Sequence, residues 1–215
     1  MLFDITMKTL LFVLALIPSV VFSQKYDYVW VSGDSNNPND TTKGGLIIDF
    51  NLAPPYKYYN YRKLNFRSCN ASICDTAGNL LFYTNGCAIA GADDEILENG
   101  ETINPGYVHQ LQCDQDNFYN SGYQSAFILP VPDSANLYYL FHKRLIVTNN
   151  PFDVKSDKLF CSVVDMGLNN GKGKVLAKNV EIMYGDLSIG ELTAVKHANG
   201  KDWWLVKADC DMGRY

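Results

Sequence analysis

Short runs of apolar and aromatic residues alternate with turn sequences along most of this chain. Residues 78–86, GNLLFYTNG, place five strand-forming residues between two turns. The same arrangement returns in residues 135–143 and 199–207, which read ANLYYLFHK and NGKDWWLVK. Flat aromatic and β-branched side chains suit a pleated surface, whereas Gly, Asn and Asp accept the backbone angles of tight turns. No segment shows a convincing helical period, so the pattern predicts an all-β protein.

The three aromatic segments are predicted to be matching strands of successive sheets. They begin at Leu80, Leu137 and Trp203, about 60 residues apart, and each follows a short strand and a tight turn. The middle unit contains four predicted strands, at residues 126–131, 137–144, 158–166 and 174–183. Four antiparallel strands per repeat are typical of a propeller blade. We therefore expect an all-β protein, a β-propeller with about three blades of four-stranded antiparallel sheet, and a β-sandwich is the alternative.

The N-terminal residues are typical of a secretory signal peptide. Lys8 precedes an apolar run over residues 10–22, and the segment before Gln24 fits a cleavage site. As a helix the run would span only about 20 Å, short of the roughly 30 Å hydrocarbon core, which disfavours a membrane anchor. We predict a signal peptide at residues 1–23, a β-propeller domain over residues 24–215, and no membrane insertion after cleavage.

The predicted domain is expected to be part of a longer protein. Two or three blades cannot close a ring, and an open stack of sheets would leave apolar faces and strand edges uncovered. Only a few residues follow the last predicted strand, where the rest of a blade should stand. We therefore expect residues 24–215 to be a partial propeller, truncated at the C-terminus, in a chain with further domains.

The charge disfavours two classes of partner. The net charge is −5, and the charged residues are spread along the chain. Nucleic acids and anionic membrane surfaces select clustered Lys and Arg, and the one basic cluster, Lys172 with Lys174 and Lys178, is small. We therefore expect no nucleic-acid partner.

The six cysteines could form up to three disulfides in an exported protein. Cys87 directly follows the first aromatic strand, and Cys113 lies in the loop beyond it, so a bridge between them would pin a long loop to the sheet. This pair is favoured. A hairpin closed at residues 75–80 would set Cys69 nearly opposite Cys87, which makes that pair the second choice. Cys161 is as well explained as a buried free thiol.

Standard catalytic signatures are missing from the sequence. It contains no HExxH motif, no GxSxG elbow and no Walker phosphate loop. His109 is predicted to lie in a loop, and His142 and His197 in two different blades, so a shared metal site is not expected. No residue is a candidate catalytic group, and calcium is the only cofactor considered.

A tyrosine-rich segment is the first candidate ligand site. Tyr56, Tyr58 and Tyr59 follow two prolines, which favours an exposed loop whose rings could stack on sugars. Trp203 and Trp204 are adjacent in a predicted strand, so one should enter a sheet interface while the other points elsewhere. The tyrosines are therefore the better candidates for contact with a ligand.

A run of carboxylates is the second candidate site. Asp93, Asp94 and Glu95, followed by Glu98 and Glu101, gather the oxygen ligands that calcium prefers. Their spacing fits no known calcium loop, and a solvated edge or loop also explains the cluster. Calcium at Asp93, Asp94 and Glu95 is the metal hypothesis that the sequence supports.

The repeated motifs resemble those of a family of secreted proteins. ICDTAGNLLFYTNG, ILENGETINPG, FILPVPDSANLYYLF and LTAVKHANGKDWWLV are similar to the N-terminal, propeller-like region of large secreted Bacteroidota proteins, many of which end in a type IX secretion sorting domain. The similarity covers nearly all of the chain after the predicted signal peptide. It implies a secreted, extracellular or cell-surface location, and it brings no catalytic residues.

Together these features predict a binding module. We expect a secreted or cell-surface, non-enzymatic β-propeller module that mediates interaction with an extracellular protein or glycan. The alternative is part of a propeller enzyme acting on polysaccharide, with its catalytic residues outside this chain. A purely structural spacer before other domains is a third interpretation.

Overall fold

The structure, a computed structural model, describes residues 24–34, 39, 42, 44–148 and 154–209. The predicted signal peptide lies outside the described residues, and so does the C-terminal end on which the predicted truncation rests. No helix within the described residues is long and apolar enough to cross a membrane. The elements are β1 (Val29–Ser32), β2 (Leu46–Asp49), β3 (Tyr56–Tyr59), β4 (Ala71–Cys74), β5 (Leu80–Thr84), β6 (Ile89–Gly91), α1 (Tyr107–Asp116), β7 (Ala126–Pro130), β8 (Leu137–Val147), β9 (Val154–Asp165), a 3-10 turn (Asn169–Gly171), β10 (Lys174–Lys196) and β11 (Trp203–Asp209).

The strands form three antiparallel sheets, and the strands of each sheet follow the order of the chain. The first sheet is β1-β2-β3, the second is β4-β5-β6, and the third contains β7 to β11 and curls into a half-barrel. The all-β prediction is therefore confirmed for the described residues. The sheets have three, three and five strands, and none has the predicted four.

The third sheet has five strands because β10 is one continuous strand of 23 residues. Its first part pairs with β9 and its last part with β11, and Leu187 pairs with both neighbours. The backbone has positive φ at Gly185 and Glu191, and the pairing register shifts there, so β10 is irregular in this region. The sequence pattern places a boundary between sheets here. Hydrogen bonding continues through it, so β11 belongs to the same sheet as β8 and not to a separate one.

The three aromatic strands begin at equivalent hairpin turns. In each hairpin, the N–H that follows the first strand donates to a carbonyl at the start of the second strand. The bonds are Asp75 N–H to Asn79 O, Val131 N–H to Leu137 O, and His197 N–H to Asp202 O. The residues that follow the three accepting carbonyls are Leu80, Tyr138 and Trp203, so these three residues are equivalent. The sequence alignment instead matches Leu137 with Leu80 and Trp203. The turns differ in length, which an alignment of apolar runs cannot detect.

The largest hydrophobic core lies between the second and third sheets. Phe82 of β5 meets Tyr138 of β8 edge-on, with ring centroids 5.6 Å apart, and buried aliphatic side chains from both sheets surround the pair. A smaller core joins the first sheet to the second, where Val29, Ile47 and Cys74 are buried together. The first sheet is therefore held to the rest of the protein by one of its two faces.

Helix α1 is an element that the sequence analysis does not predict. Only Val108 and His109 of this helix are buried. Helices are recognised by an apolar stripe that repeats every 3.6 residues or so, and α1 has almost none. Its position is set by a covalent bond, since Cys113 near its end is joined to Cys87 just after β5.

Candidate functional site

The predicted disulfide between Cys87 and Cys113 is present, with an S–S distance of 2.03 Å. The second-choice partner, Cys69, is close to the same strand end but remains a free thiol. Its Sγ lies 2.9 Å from where a Cβ on Gly86 would stand. The predicted register of the β4–β5 hairpin is therefore correct. Cys69 packs near the end of β5, but it forms no disulfide with Cys87.

The remaining described cysteines, Cys69, Cys74 and Cys161, are free. Cys69 and Cys74 are buried, and Cys161 is half-buried in β9. Desolvation raises the pKa of the Cys74 and Cys161 thiols to about 11. Because the thiolate is the nucleophilic form, these two side chains are unreactive packing groups at neutral pH.

The tyrosine segment forms an edge strand and not the loop that the sequence predicts. β3 pairs with β2 on one side and has no partner strand on the other within the described residues. The two prolines lie just before the strand, so their lack of a backbone N–H removes no hydrogen bond from the β2–β3 ladder. Tyr56, Tyr58 and Tyr59 are 56%, 36% and 52% exposed, respectively.

The three tyrosines lie on two different faces of the first sheet, because side chains alternate along a strand. Tyr58 is paired with Ile47, which in turn is paired with the buried Val31, so these three residues share the face that packs on the second sheet. Tyr56 lies on the same face, and its ring stacks on that of Tyr58 with centroids 5.6 Å apart and planes inclined by 23°. Tyr59 lies on the opposite face. The predicted trio is therefore a stacked pair and one separate residue.

The two adjacent tryptophans also separate onto opposite faces, as predicted. Trp203 is partly buried, its Nε1–H donates to the Pro130 carbonyl at 3.1 Å, and the Lys196 ammonium lies 4.4 Å from its ring centroid. Trp204 is exposed and contacts the His197 ring, with centroids 5.2 Å apart. Trp203 is thus fixed by packing and Trp204 is not.

Carboxylates of the predicted calcium cluster have lysine partners. The exposed acidic residues face the small basic cluster seen in the sequence, or in one case Lys63. The pairs are Glu95 with Lys63 at 2.5 Å, Asp93 with Lys172 at 3.5 Å, Glu98 with Lys174 at 2.6 Å and Glu101 with Lys178 at 3.1 Å. No three His, Cys, Asp or Glu side chains of the described residues are placed to hold a metal ion. The calcium hypothesis stays a prediction, and the observed contacts give it no support.

Asp94 has a structural contact of its own. Its carboxylate accepts hydrogen bonds from the Tyr83 hydroxyl and from the backbone N–H of Lys63, the latter at 3.0 Å. The Arg62 guanidinium lies 5.3 Å from the Tyr83 ring centroid, and burial together with the Asp94 contact raises the pKa of the Tyr83 phenol. Asp94 therefore fastens the chain at residues 62–63 to β5.

Replacing Asp94 by Ala is expected to lower the free energy of unfolding by about 2 kcal/mol, because a buried phenol and a backbone N–H lose their acceptor. The matched control is Asp93→Ala, which removes one exposed ion pair and one exposed hydrogen bond from the Glu95 N–H, and it should cost no more than about 1 kcal/mol. Urea denaturation measures both. Equal losses in the two variants would contradict the structural role of Asp94. A wild-type melting temperature that rises with millimolar calcium would instead indicate a metal site.

The three histidines have separate surroundings. His142 of β8 is fully buried, with Nδ1 2.7 Å from Asn104 Oδ1 and Nε2 2.8 Å from Ser162 Oγ. Desolvation lowers the pKa of His142 to about 3, and it also lowers the pKa of His109 on α1. His197 lies in the turn between β10 and β11. His142 is therefore a neutral core residue with both ring nitrogens hydrogen-bonded.

One cavity with charged residues in its lining was not predicted from the sequence. It has a volume of about 350 Å³, and we name it the bulge cavity after the irregular strand pairing around it. Its polar lining consists of Lys155, Ser156 and Asp157 of β9 with Tyr184 and Asp186 of β10. These residues form no recognisable motif, because they meet only through the pairing of neighbouring strands. The sequence signal for this cavity is the close spacing of charged residues within β9.

The exposed tyrosine edge and the bulge cavity are two candidate binding surfaces among the described residues. The first offers stacked rings beside an unpaired strand, and the second offers hydrogen-bonding groups inside a concave site. Neither contains a recognisable catalytic constellation. No protein-family model, curated protein or solved structure matches the chain.

Proposed function

We propose that this chain is a secreted or cell-surface β-propeller module that binds an extracellular glycan or protein and has no enzymatic activity of its own. The observation that carries this proposal is the stacked, exposed pair of Tyr56 and Tyr58 on the unpaired edge of β3. Tyrosine rings supply a large contact area at a low cost in side-chain entropy, because only two torsion angles are fixed on binding.

The order of the sheets supports the propeller part of the proposal. The first strands of consecutive sheets lie against each other, since β1 contacts β4 and β4 contacts β7. The series continues with β10, which contacts β7, and Leu192 in its last part belongs to a buried cluster that packs with Phe127. A propeller arranges its blades in this way around a common axis. On this proposal, the irregular region of β10 marks the passage from one blade to the next.

Three features support an extracellular location. The first residues are typical of a signal peptide, and the motifs resemble the propeller-like region of secreted Bacteroidota proteins with type IX sorting domains. The disulfide between Cys87 and Cys113 suits an oxidising compartment, because such bonds rarely persist in a reducing cytosol. On this proposal the module is one part of a longer exported chain.

The surroundings of the tyrosine pair suit two kinds of partner. A glycan would stack its rings on Tyr56 and Tyr58, with the Lys57 side chain on the opposite face of the strand. An extended peptide would instead pair with the free edge of β3 and use the tyrosines as side-chain contacts. Both modes need the pair and neither needs Tyr59, which gives the experiment its control.

Replacing Tyr56 and Tyr58 together by Ala is expected to weaken binding roughly 10- to 50-fold, because each stacking contact contributes about 1 kcal/mol. Glycan arrays and display of extracellular proteins identify the partner, and biolayer interferometry measures the loss. The melting temperature should change by less than about 2 °C, since both rings are exposed.

Tyr59→Ala is the matched control, because Tyr59 is exposed to a similar degree on the other face. Equal losses in the control and in the double variant would contradict the proposal. A large fall in melting temperature of the double variant would show that the rings are packing residues. Hydrolysis of a polysaccharide that is lost on changing a residue of this chain would favour the enzyme alternative.

A further inference from the structure

Four asparagines of this chain are followed directly by glycine. They are Asn85, Asn99, Asn170 and Asn199. In such a pair the backbone nitrogen of the glycine can attack the side-chain amide carbon of the asparagine, because glycine has no Cβ to hinder the approach. The four pairs share the same local chemistry, so the fold decides how their reactivities differ.

Asn85 is held inside the protein by its side chain. It is fully buried, and its Nδ2 donates to the Asn65 carbonyl at 3.0 Å and to the Asn117 carbonyl at 2.8 Å. Its Oδ1 accepts a hydrogen bond from the Cys87 N–H at 3.0 Å. The amide carbon can reach the following glycine nitrogen only if this buried network opens, so the fold protects Asn85.

Asn99 and Asn199 are exposed, but hydrogen bonds hold their side chains. Asn99 Nδ2 donates to the Val175 carbonyl at 2.9 Å. Asn199 Nδ2 donates to Asp202 Oδ2 at 2.6 Å, and its Oδ1 accepts from the N–H groups of Lys201 and Asp202, both at 3.0 Å. Each side chain has to leave these partners before its amide carbon can react.

Asn170 has no restraint of this kind. It lies in the 3-10 turn between β9 and β10, where residues 167–172 are all exposed. Its side chain forms no hydrogen bond, ion pair or ring contact with any residue that the structure describes. A Cβ placed on Gly171 would have no neighbouring atom within 4 Å, so there is open space beside the attacking nitrogen.

The turn that contains Asn170 can also open at low cost. The Gly171 N–H donates to the Leu168 carbonyl at 3.0 Å, and the same carbonyl accepts from the Gly173 N–H at 3.1 Å. The carbonyl therefore keeps a partner when the Gly171 nitrogen rotates away. Asn169 and Asn170 have φ values of 52° and 56°, a conformation less stable than the right-handed one for residues other than glycine. Exposed segments of this kind open locally with little loss of free energy.

We propose that Asn170 is a site of spontaneous deamidation. The Gly171 nitrogen loses its proton and forms a bond to Cγ of Asn170, the bond from Cγ to Nδ2 breaks, and ammonia leaves with that proton. Water then opens the five-membered imide at either carbonyl, which gives aspartate or isoaspartate at position 170. Water is the only co-reactant. This inference is independent of the proposed binding function, since it uses neither the tyrosine pair nor a partner.

The test incubates exported protein in mildly alkaline buffer and follows the four Asn–Gly peptides by mass spectrometry. The peptide that contains Asn170 is expected to gain mass about tenfold faster than the other three, because each of those must first break at least one further hydrogen bond. Enzymatic methylation of isoaspartate should label the same peptide.

Two comparisons separate the effect of the fold from that of the sequence. In concentrated urea the four pairs should convert at similar rates, because the protecting hydrogen bonds are lost. In the folded protein, Asp202→Ala removes the acceptor of Asn199 Nδ2 and should speed conversion at Asn199 several-fold, with no change at Asn170.

Asn170→Asp is the matched control, because it already has the product carboxylate and keeps a residue type that accepts positive φ. Its turn peptide should gain no mass. A mass gain in that variant would assign the reaction to Asn169 and overturn the inference. Equal rates at the four positions of the folded protein would overturn it as well, and so would an Asn170 that stays intact while the unfolded chain converts.

Discussion

Replacing Cys87 and Cys113 together by Ser is expected to lower the free energy of unfolding by about 3 kcal/mol. The two cysteines are 26 residues apart, so the bond restricts a long loop of the unfolded chain. In the folded protein the bond joins α1 to a buried cluster that includes Tyr119 and Leu145. The hydroxyl of Tyr119 accepts a hydrogen bond from the Leu145 N–H at 2.7 Å, so the loop is also attached to β8.

Urea denaturation with and without a reductant measures this effect, and the melting temperature should fall by roughly 5–10 °C. The matched control is Cys161→Ser, which changes a half-buried free thiol and should cost about 1 kcal/mol or less. Hydrogen exchange should become faster in α1 before it does in the sheets. Free thiols at both positions in non-reducing mass spectrometry of exported protein would contradict the assignment.

Acidification from pH 7 to pH 4.5 is expected to reduce stability by about 2–3 kcal/mol through His142 alone. The folded protein lowers the pKa of this residue to about 3, whereas an unfolded chain has the ordinary value of about 6.5. Below pH 6.5 His142 therefore binds a proton in the unfolded state but stays neutral in the folded state. The stability contributed by the neutral form is complete above pH 6.5 and is lost progressively down to about pH 3.

The hydrogen bonds around His142 fix which nitrogen holds its proton. Asn104 donates through Nδ2 to the Gly86 carbonyl, so its Oδ1 accepts from Nδ1–H of His142. Ser162 Oγ accepts from the Asn179 N–H at 3.1 Å and uses its own proton to reach Nε2. A second ring proton, on Nε2, would point at the Ser162 hydroxyl, whose own hydrogen already forms the hydrogen bond to that nitrogen.

Unfolding measured by urea between pH 7 and pH 4 tests this expectation. His142→Gln removes the titrating group while keeping one donor and one acceptor, so its stability should depend less steeply on pH, by about 1.4 kcal/mol per unit. Carboxylates titrate equally in both proteins and cancel in the comparison. Equal slopes would contradict the expectation, and so would an NMR titration that places the His142 pKa near 6.5.

The features that the sequence predicts correctly depend on short stretches of chain. The β4–β5 register follows from its turn, and the opposite faces of Trp203 and Trp204 follow from alternation in a strand. Cys87 and Cys113 could be paired because one closes a strand and the other lies in the following loop. In each case the determining contacts are local.

The features that the sequence could not predict depend on neighbours far along the chain. Prolines beside Tyr56 indicate a loop, but pairing with β2 makes an edge strand and decides which tyrosines share a face. The continuation of β10 through Gly185 is set by its two partner strands. The bulge cavity exists because registers shift at Asp157 and Asp186, and no residue type marks such a shift.

The continuity of β10 has a mechanical consequence. One strand is hydrogen-bonded to β9 along its first part and to β11 along its last part, with Leu187 in both ladders. Tension applied through β11 would therefore be transmitted along an unbroken backbone to β9, and many ladder bonds would have to shear together before either hairpin separates. Two hairpins joined by a loop would instead peel apart one after the other. Such a shared strand would resist a pulling force as one unit.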